Sequence, residues 1–185
     1  MAAGAATIYP SYDGAIQYDG MDYVRNDAGV WANCGLDTFV GMASHGFFQF
    51  EDFSAELITA DSIDHITFYF LPMDDIACNL SFYQLASDAE AQSDMELYMD
   101  CADGAFDEFI WFAESDWCTQ EPTNGVTYFE AMDRLFFGIS VVMCDDQTGI
   151  DIYTVEAGGT AYDPYLYIEY TYTAALPKCW GQIVN

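Results

Sequence analysis

The strongest constraint on this chain is an alternation of period two that recurs along its length. In "GFFQFEDF", Phe48 and Phe50 fall on one side of an extended chain while Gln49 and Glu51 fall on the other, which is the pattern of a strand with one buried face. "ITFYFLPM" is aromatic and β-branched until Pro72 stops it, and "LSFYQL" and "FGISVVMC" continue the series. In "IDIYTVEA", Ile150 and Ile152 alternate with Asp151 and Tyr153. In "YLYIEY", Leu166, Ile168 and Tyr170 take the inward phase and Tyr165, Tyr167 and Glu169 the outward one. Turn-forming clusters such as "SYDG", "LPMDDIA", "TQEPTNG", "CDDQTG" and "EAGGTAYDP" separate these runs. Only "SDAEAQSDMELYMD" and "VTYFEAMDRLF" have the composition of a helix, and both are short. The pattern predicts an all-β chain, an antiparallel β-sandwich or jelly roll with at most short helical turns. The expected core is Phe48, Phe50, Phe68, Phe70, Phe137, Ile139, Ile152, Leu166 and Ile168.

At 185 residues, 52% of them hydrophobic, the chain can bury one sizeable core. A single domain over residues 1–173 is expected, with 174–185, "AALPKCWGQIVN", as a C-terminal tail beyond the last strand. Thirty-one acidic residues stand against three basic ones, Arg25, Arg134 and Lys178, for a formal net charge of −28. A surface of that sign repels phosphate backbones and anionic lipid, so neither nucleic acid nor membrane is an expected partner. The longest apolar run, "LFFGISVVMC", is half the roughly 20 residues a membrane helix needs, so no membrane insertion is expected. "MAAGAATIYP" lacks the basic and apolar regions of a signal peptide. If Met1 is the natural start, export by that route is not expected.

The order "TIYPSYDG", "HGFFQFEDF", "ADSIDHITFYFLP", "NLSFYQL", "FFGISVV" and "IDIYTVEAGGTAYDPYLYIEY", spanning roughly residues 6 to 172, resembles the DNRLRE-type domain, a carbohydrate-binding-module-like family. Its members open on a Tyr-Pro-x-x-Asp-Gly strand, continue with a Gly-Phe-Leu-x-Phe-Asp strand and close on a Ser/Thr-x-Tyr-x-Pro-Tyr-Leu strand. The resemblance implies an antiparallel jelly-roll sandwich in which "GGTAYDPYL" crosses from a sheet edge into the final core strand. It also implies a setting as an appendage of a secreted protein, a glycan binder or a part of a phage virion.

Chemistry-bearing motifs are few. The sequence holds no G-x-S-x-G, H-E-x-x-H, phosphate loop or dinucleotide fingerprint, so no catalytic residue is assigned and no enzymatic activity is expected. His45 and His65 read as ordinary surface or loop histidines. The six cysteines include no C-x-x-C pair, which favours buried free thiols over a disulfide framework. No cofactor is required. Carboxylate clusters could attract calcium or magnesium or keep the chain hydrated in high salt; the loops suit calcium, with Asp145, Asp146 and Asp151 of "DDQTGID" as its candidate ligands and "DCADGAFDE" as a second acidic loop.

Aromatics at 17% of the chain supply either a sugar platform or a subunit interface. Trp111 and Trp117 are the candidate ligand-binding residues. Tyr165 and Tyr167 on the last strand, with Leu176, Trp180 and Ile183 of the tail, are the candidate interface. The sequence therefore leads to one principal expectation, a structural virion component such as a capsid decoration or tail-associated subunit, partnered by itself or by other virion proteins. The alternative is an extracellular or cell-surface glycan-binding or adhesive module, including a filament subunit.

Overall fold

A computed structural model describes residues 1–29, 31–37, 42–51, 60–73, 78–103, 105–112, 116–121, 135–144, 149–155 and 161–173. Among them lie twelve strands and one helix: β1 Ala2–Ile8, β2 Tyr12–Tyr18, β3 Tyr23–Asn26, β4 Trp31–Asp37, β5 Met42–Phe50, β6 Ser62–Phe70, β7 Cys78–Gln84, α1 Asp94–Asp100, β8 Ala105–Phe112, β9 Cys118–Gln120, β10 Leu135–Cys144, β11 Ile150–Tyr153 and β12 Tyr165–Tyr172. All the pairings are antiparallel. The smaller sheet runs β1-β12-β6-β9, and the larger runs β11-β4-β5-β10-β7-β8 with β2 and β3 attached through β5.

The two sheets form a sandwich because their inward phases are apolar. Phe48, Phe50 and Phe137 of the larger sheet meet Phe68, Phe70, Leu166 and Ile168 of the smaller one in a single cluster. Phe68 is its hub, with ring centroids 4.7 Å from Phe137, 5.2 Å from Phe70 and 5.3 Å from Phe48. All nine residues expected in the core are buried.

A second apolar layer lies on the opposite face of the larger sheet. Ile16, Phe47 and Phe136 point away from the sandwich interior and are covered by Leu85, Ala89, Leu97 and Cys101, from the segment that carries α1. Ser93 starts that helix with a capping box: its hydroxyl accepts from the Glu96 amide, while the Glu96 carboxylate accepts from the Ser93 amide. Arg25 of β3 locks the segment in place. Its guanidinium donates to the carbonyls of Ala89 at 2.8 Å and Gln92 at 2.7 Å, and pairs with Asp94 at 3.0 Å. Gln49 accepts from the Ala89 amide at 2.9 Å. Gln49 is therefore buried, not solvated as its outward phase suggests.

The opening Asp-Gly pair has a structural reason. Asp13 is buried and its carboxylate accepts from the Val155 amide at 3.0 Å, joining β2 to the chain after β11. A Cβ on Gly14 would stand 2.4 Å from the Asn26 carbonyl oxygen, so only glycine fits there.

Candidate functional site

Sheet pleating sends alternate residues of β1, β12, β6 and β9 to the outer face of the smaller sheet. The register sets Thr7 beside Tyr167 and Tyr167 beside Thr67; one row on, Tyr165 faces Tyr69, which faces Thr119. Tyr9 and Trp117, at the ends of the neighbouring strands, extend the second row. Five rings result in one contiguous patch. Tyr69 and Tyr165 stack at 4.7 Å with planes 8° apart, and Tyr167 meets Tyr69 edge-on at 6.4 Å. Trp117 and Tyr9 flank Tyr165 at 5.6 and 6.2 Å. Tyr9 remains 44% and Trp117 38% exposed, which makes the patch solvent-facing and not a buried cluster.

This end of the sheet is poor in charge. Its strand positions carry tyrosine and threonine, and the first outward carboxylate along β12 is Glu169, beside His65 and Ala5. Asp116 is near Trp117, but its carboxylate accepts from the Trp117 amide at 2.7 Å. Burial, reinforced by Tyr69 and Tyr9, raises the Tyr165 hydroxyl above its ordinary pKa. The five rings are thus uncharged over the physiological range, with the Asp116 carboxylate at their edge, on a chain with a formal charge of −28.

Tyr165, Tyr167 and Trp117, read from the sequence under two different headings, therefore belong to one surface. Tyr9 and Tyr69 were not singled out in the sequence; the outward phase of "ITFYFLP" identifies Tyr69, whereas Tyr9 joins only through the pairing of β1 with β12. Trp111 lies on β8 of the other sheet, with its side chain outside the described residues. Leu176, Trp180 and Ile183 also lie outside them, as do Asp145 and Asp146. Asp151 on β11 accepts from Asn33 Nδ2 at 2.6 Å. Among the described residues no group of three or more potential ligands is placed to hold a metal.

The histidines differ from each other. His65 is exposed on β6, as expected. His45 is not a surface residue: it sits within β5, 8% exposed, beneath Tyr98 of α1 with ring centroids 4.5 Å apart. Its Nδ1 is 2.6 Å from Ser140 Oγ, which donates to the Cys101 carbonyl at 2.9 Å. Ser140 thus links the His45 ring to the carbonyl of Cys101 in a buried chain of hydrogen bonds. Desolvation depresses the His45 pKa to about 4.

The cysteines are also mixed. Cys34 and Cys101 are buried free thiols and Cys118 is a half-exposed one, but Cys78 is disulfide-bonded. The β7–β10 register sets Cys144 opposite Cys78, a juxtaposition created by pairing and invisible in the spacing.

A shallow cleft of about 450 Å³ lies between α1 and residues 86–92, with Met95, Glu96, Met99 and Asp100 in its wall. The Asp100 carboxylate accepts from the Ala86 amide and Gln92 Nε2, so it serves the local fold. No helix among the described residues is long and apolar enough to cross a membrane. The sequence matches no protein-family model and no curated protein.

Proposed function

We propose that this protein is a non-enzymatic structural subunit that associates with further copies of itself through the aromatic end of the smaller sheet, as a surface component of a virion. The observation that carries the reading is the combination of five clustered, uncharged rings with a low local density of carboxylates on a strongly acidic chain. A basic partner would be drawn to the carboxylates that cover the rest of the molecule. An equally acidic partner, a second copy, approaches with least repulsion where carboxylates are sparse. Tyrosine and tryptophan are the side chains that interfaces favour, because they bury large area with little loss of rotamer freedom.

The ring geometry supports a protein contact over a sugar platform. Tyr69 and Tyr165 turn one face each toward the other, whereas a pyranose stacks on an open ring face. The virion setting rests on the resemblance to DNRLRE-type domains. The calcium loop remains part of the proposal through Asp145 and Asp146, as an accessory site.

The test is the solution mass of the purified chain beside Tyr165→Glu, which places a charge in the patch at an outward position. Association of the parent and a folded, monomeric variant are expected. A parent that is monomeric at tens of micromolar, or a variant that associates equally, sinks the reading. A glycan-binding role is favoured by one feature, the exposed Trp117 ring beside Tyr165. A monomer that binds a polysaccharide and loses it on Trp117→Ala would establish that alternative.

A further inference from the structure

We propose that His45 makes the α1 segment, residues 85–103, an acid-released cover over the outer apolar face of the larger sheet. The inference is independent of the self-association reading and uses the opposite side of the sandwich.

The geometry is a relay. Ser140 Oγ has one proton, and it goes to the carbonyl of Cys101, the C-cap of α1. With both Ser140 contacts made as hydrogen bonds, His45 Nδ1 donates to Ser140 Oγ across their 2.6 Å contact, the neutral tautomer with its lone pair on Nε2. An incoming proton can enter only at Nε2, and no acceptor among the described residues is hydrogen-bonded there. The result is a cation on a largely buried ring between the sheet and Tyr98.

The surroundings do little to offset that charge. From α1, the facing group is Tyr98, and burial raises its hydroxyl pKa. Tyr18 and Tyr23 of β2 and β3 lie 6.2 and 5.1 Å from the Tyr98 ring. Across the sheet, Ile16 of β2 stands opposite His45. Beyond α1, the Cys101 thiol is buried and stays protonated, its pKa pushed well above the ordinary value by desolvation, with Asp100 adding to the effect. Arg25 is a further positive charge, paired with Asp94. No carboxylate among the described residues accepts from the imidazole. Lifting the segment hydrates His45 and relieves the charge, and it uncovers Ile16, Phe47 and Phe136.

The sign follows from linkage. The folded pKa, about 4, lies below the ordinary value of 6.5. The closed segment is therefore fully favoured above pH 6.5 and loses that advantage as pH falls from 6.5 through 4. Glu96 also belongs to the segment, but its capping-box hydrogen bonds hold its carboxyl below the usual range. Asp94 and Asp100 are the other carboxylates that anchor it.

Hydrogen exchange of the full chain between pH 7.5 and 4.5, corrected for intrinsic rates, is the experiment. The opening of residues 85–103 should rise by roughly 50- to 100-fold relative to β6 and β12. His45→Gln, which keeps a donor for Ser140 but takes no proton, should flatten that response to within about threefold. A parent without the local response, or a variant with the same one, overturns the proposal; the latter outcome would assign it to the carboxylates. If the variant does not fold, the His45 imidazole can be titrated by NMR in the parent. A depressed midpoint shared with signals from 85–103 is expected, and an ordinary midpoint with no change in those signals overturns it.

Discussion

Phe68 carries more of the sandwich than any sequence pattern singles out. Its ring touches those of Phe48, Phe50, Phe70, Phe82 and Phe137, so truncation opens a cavity that five stiff neighbours cannot refill. Phe68→Ala should cost about 3–5 kcal/mol, read as a lowered denaturant midpoint at unchanged slope. The burial of Phe68 was legible because period two is a local property of each strand. His45 and Gln49 were misread for the complementary reason: both occupy the outward phase, and their burial depends on residues 85–101, forty positions away. The sequence marks a face as outward but does not say whether another segment covers it. Asp13 lies between these cases. Its place in "SYDG" suggested a turn, whereas it lies within β2, and its bond to Val155 had no signal in the sequence.

At the scale of elements, α1 is too short to hold itself together and depends on its caps and on Arg25. Ser93→Ala removes the capping box and should destabilise the segment by about 1 kcal/mol. Arg25→Met withdraws donors from two carbonyls and from Asp94, and should cost about 2–3 kcal/mol. Both losses should appear as faster amide exchange confined to 85–101, with β6 and β12 still protected; equal loss throughout the sandwich would show that the segment does not move as a unit. The composition of "SDAEAQSDMELYMD" marked this segment as a candidate helix in the sequence, and Asp94–Asp100 within it is helical. Strand order was not legible, since it pairs the first strand with the last and gives β5 neighbours from three parts of the chain. The aromatic patch inherits that difficulty. Four of its strands are distant in sequence, and Tyr9, Tyr69, Trp117 and Tyr165 become neighbours only through the pairing of β1, β12, β6 and β9.

For the molecule as a whole, electrostatics opposes both folding and association. Thirty-one carboxylates face three basic side chains, and one of the three, Arg25, is already paired with Asp94. Most of the acidic surface therefore has no cation nearby, and its self-repulsion is felt over a Debye length, about 30 Å at 0.01 M salt and 3 Å at 1 M. Raising sodium chloride from 0.01 to 1 M should stabilise the fold by about 2 kcal/mol, a rise in Tm of about 4–8 °C for a chain of this size. Self-association should respond in the same direction. Two like-charged copies meeting at a patch of uncharged rings gain from screening, and salt also strengthens apolar burial. A contact built on ion pairs, such as Lys178 of the tail set against a neighbour's carboxylates, weakens with salt instead. Sedimentation across a salt series separates the two: an oligomer that tightens toward 1 M salt and is disrupted by Tyr165→Glu belongs to the aromatic face, whereas one that dissociates in salt and is lost with residues 174–185 belongs to the tail.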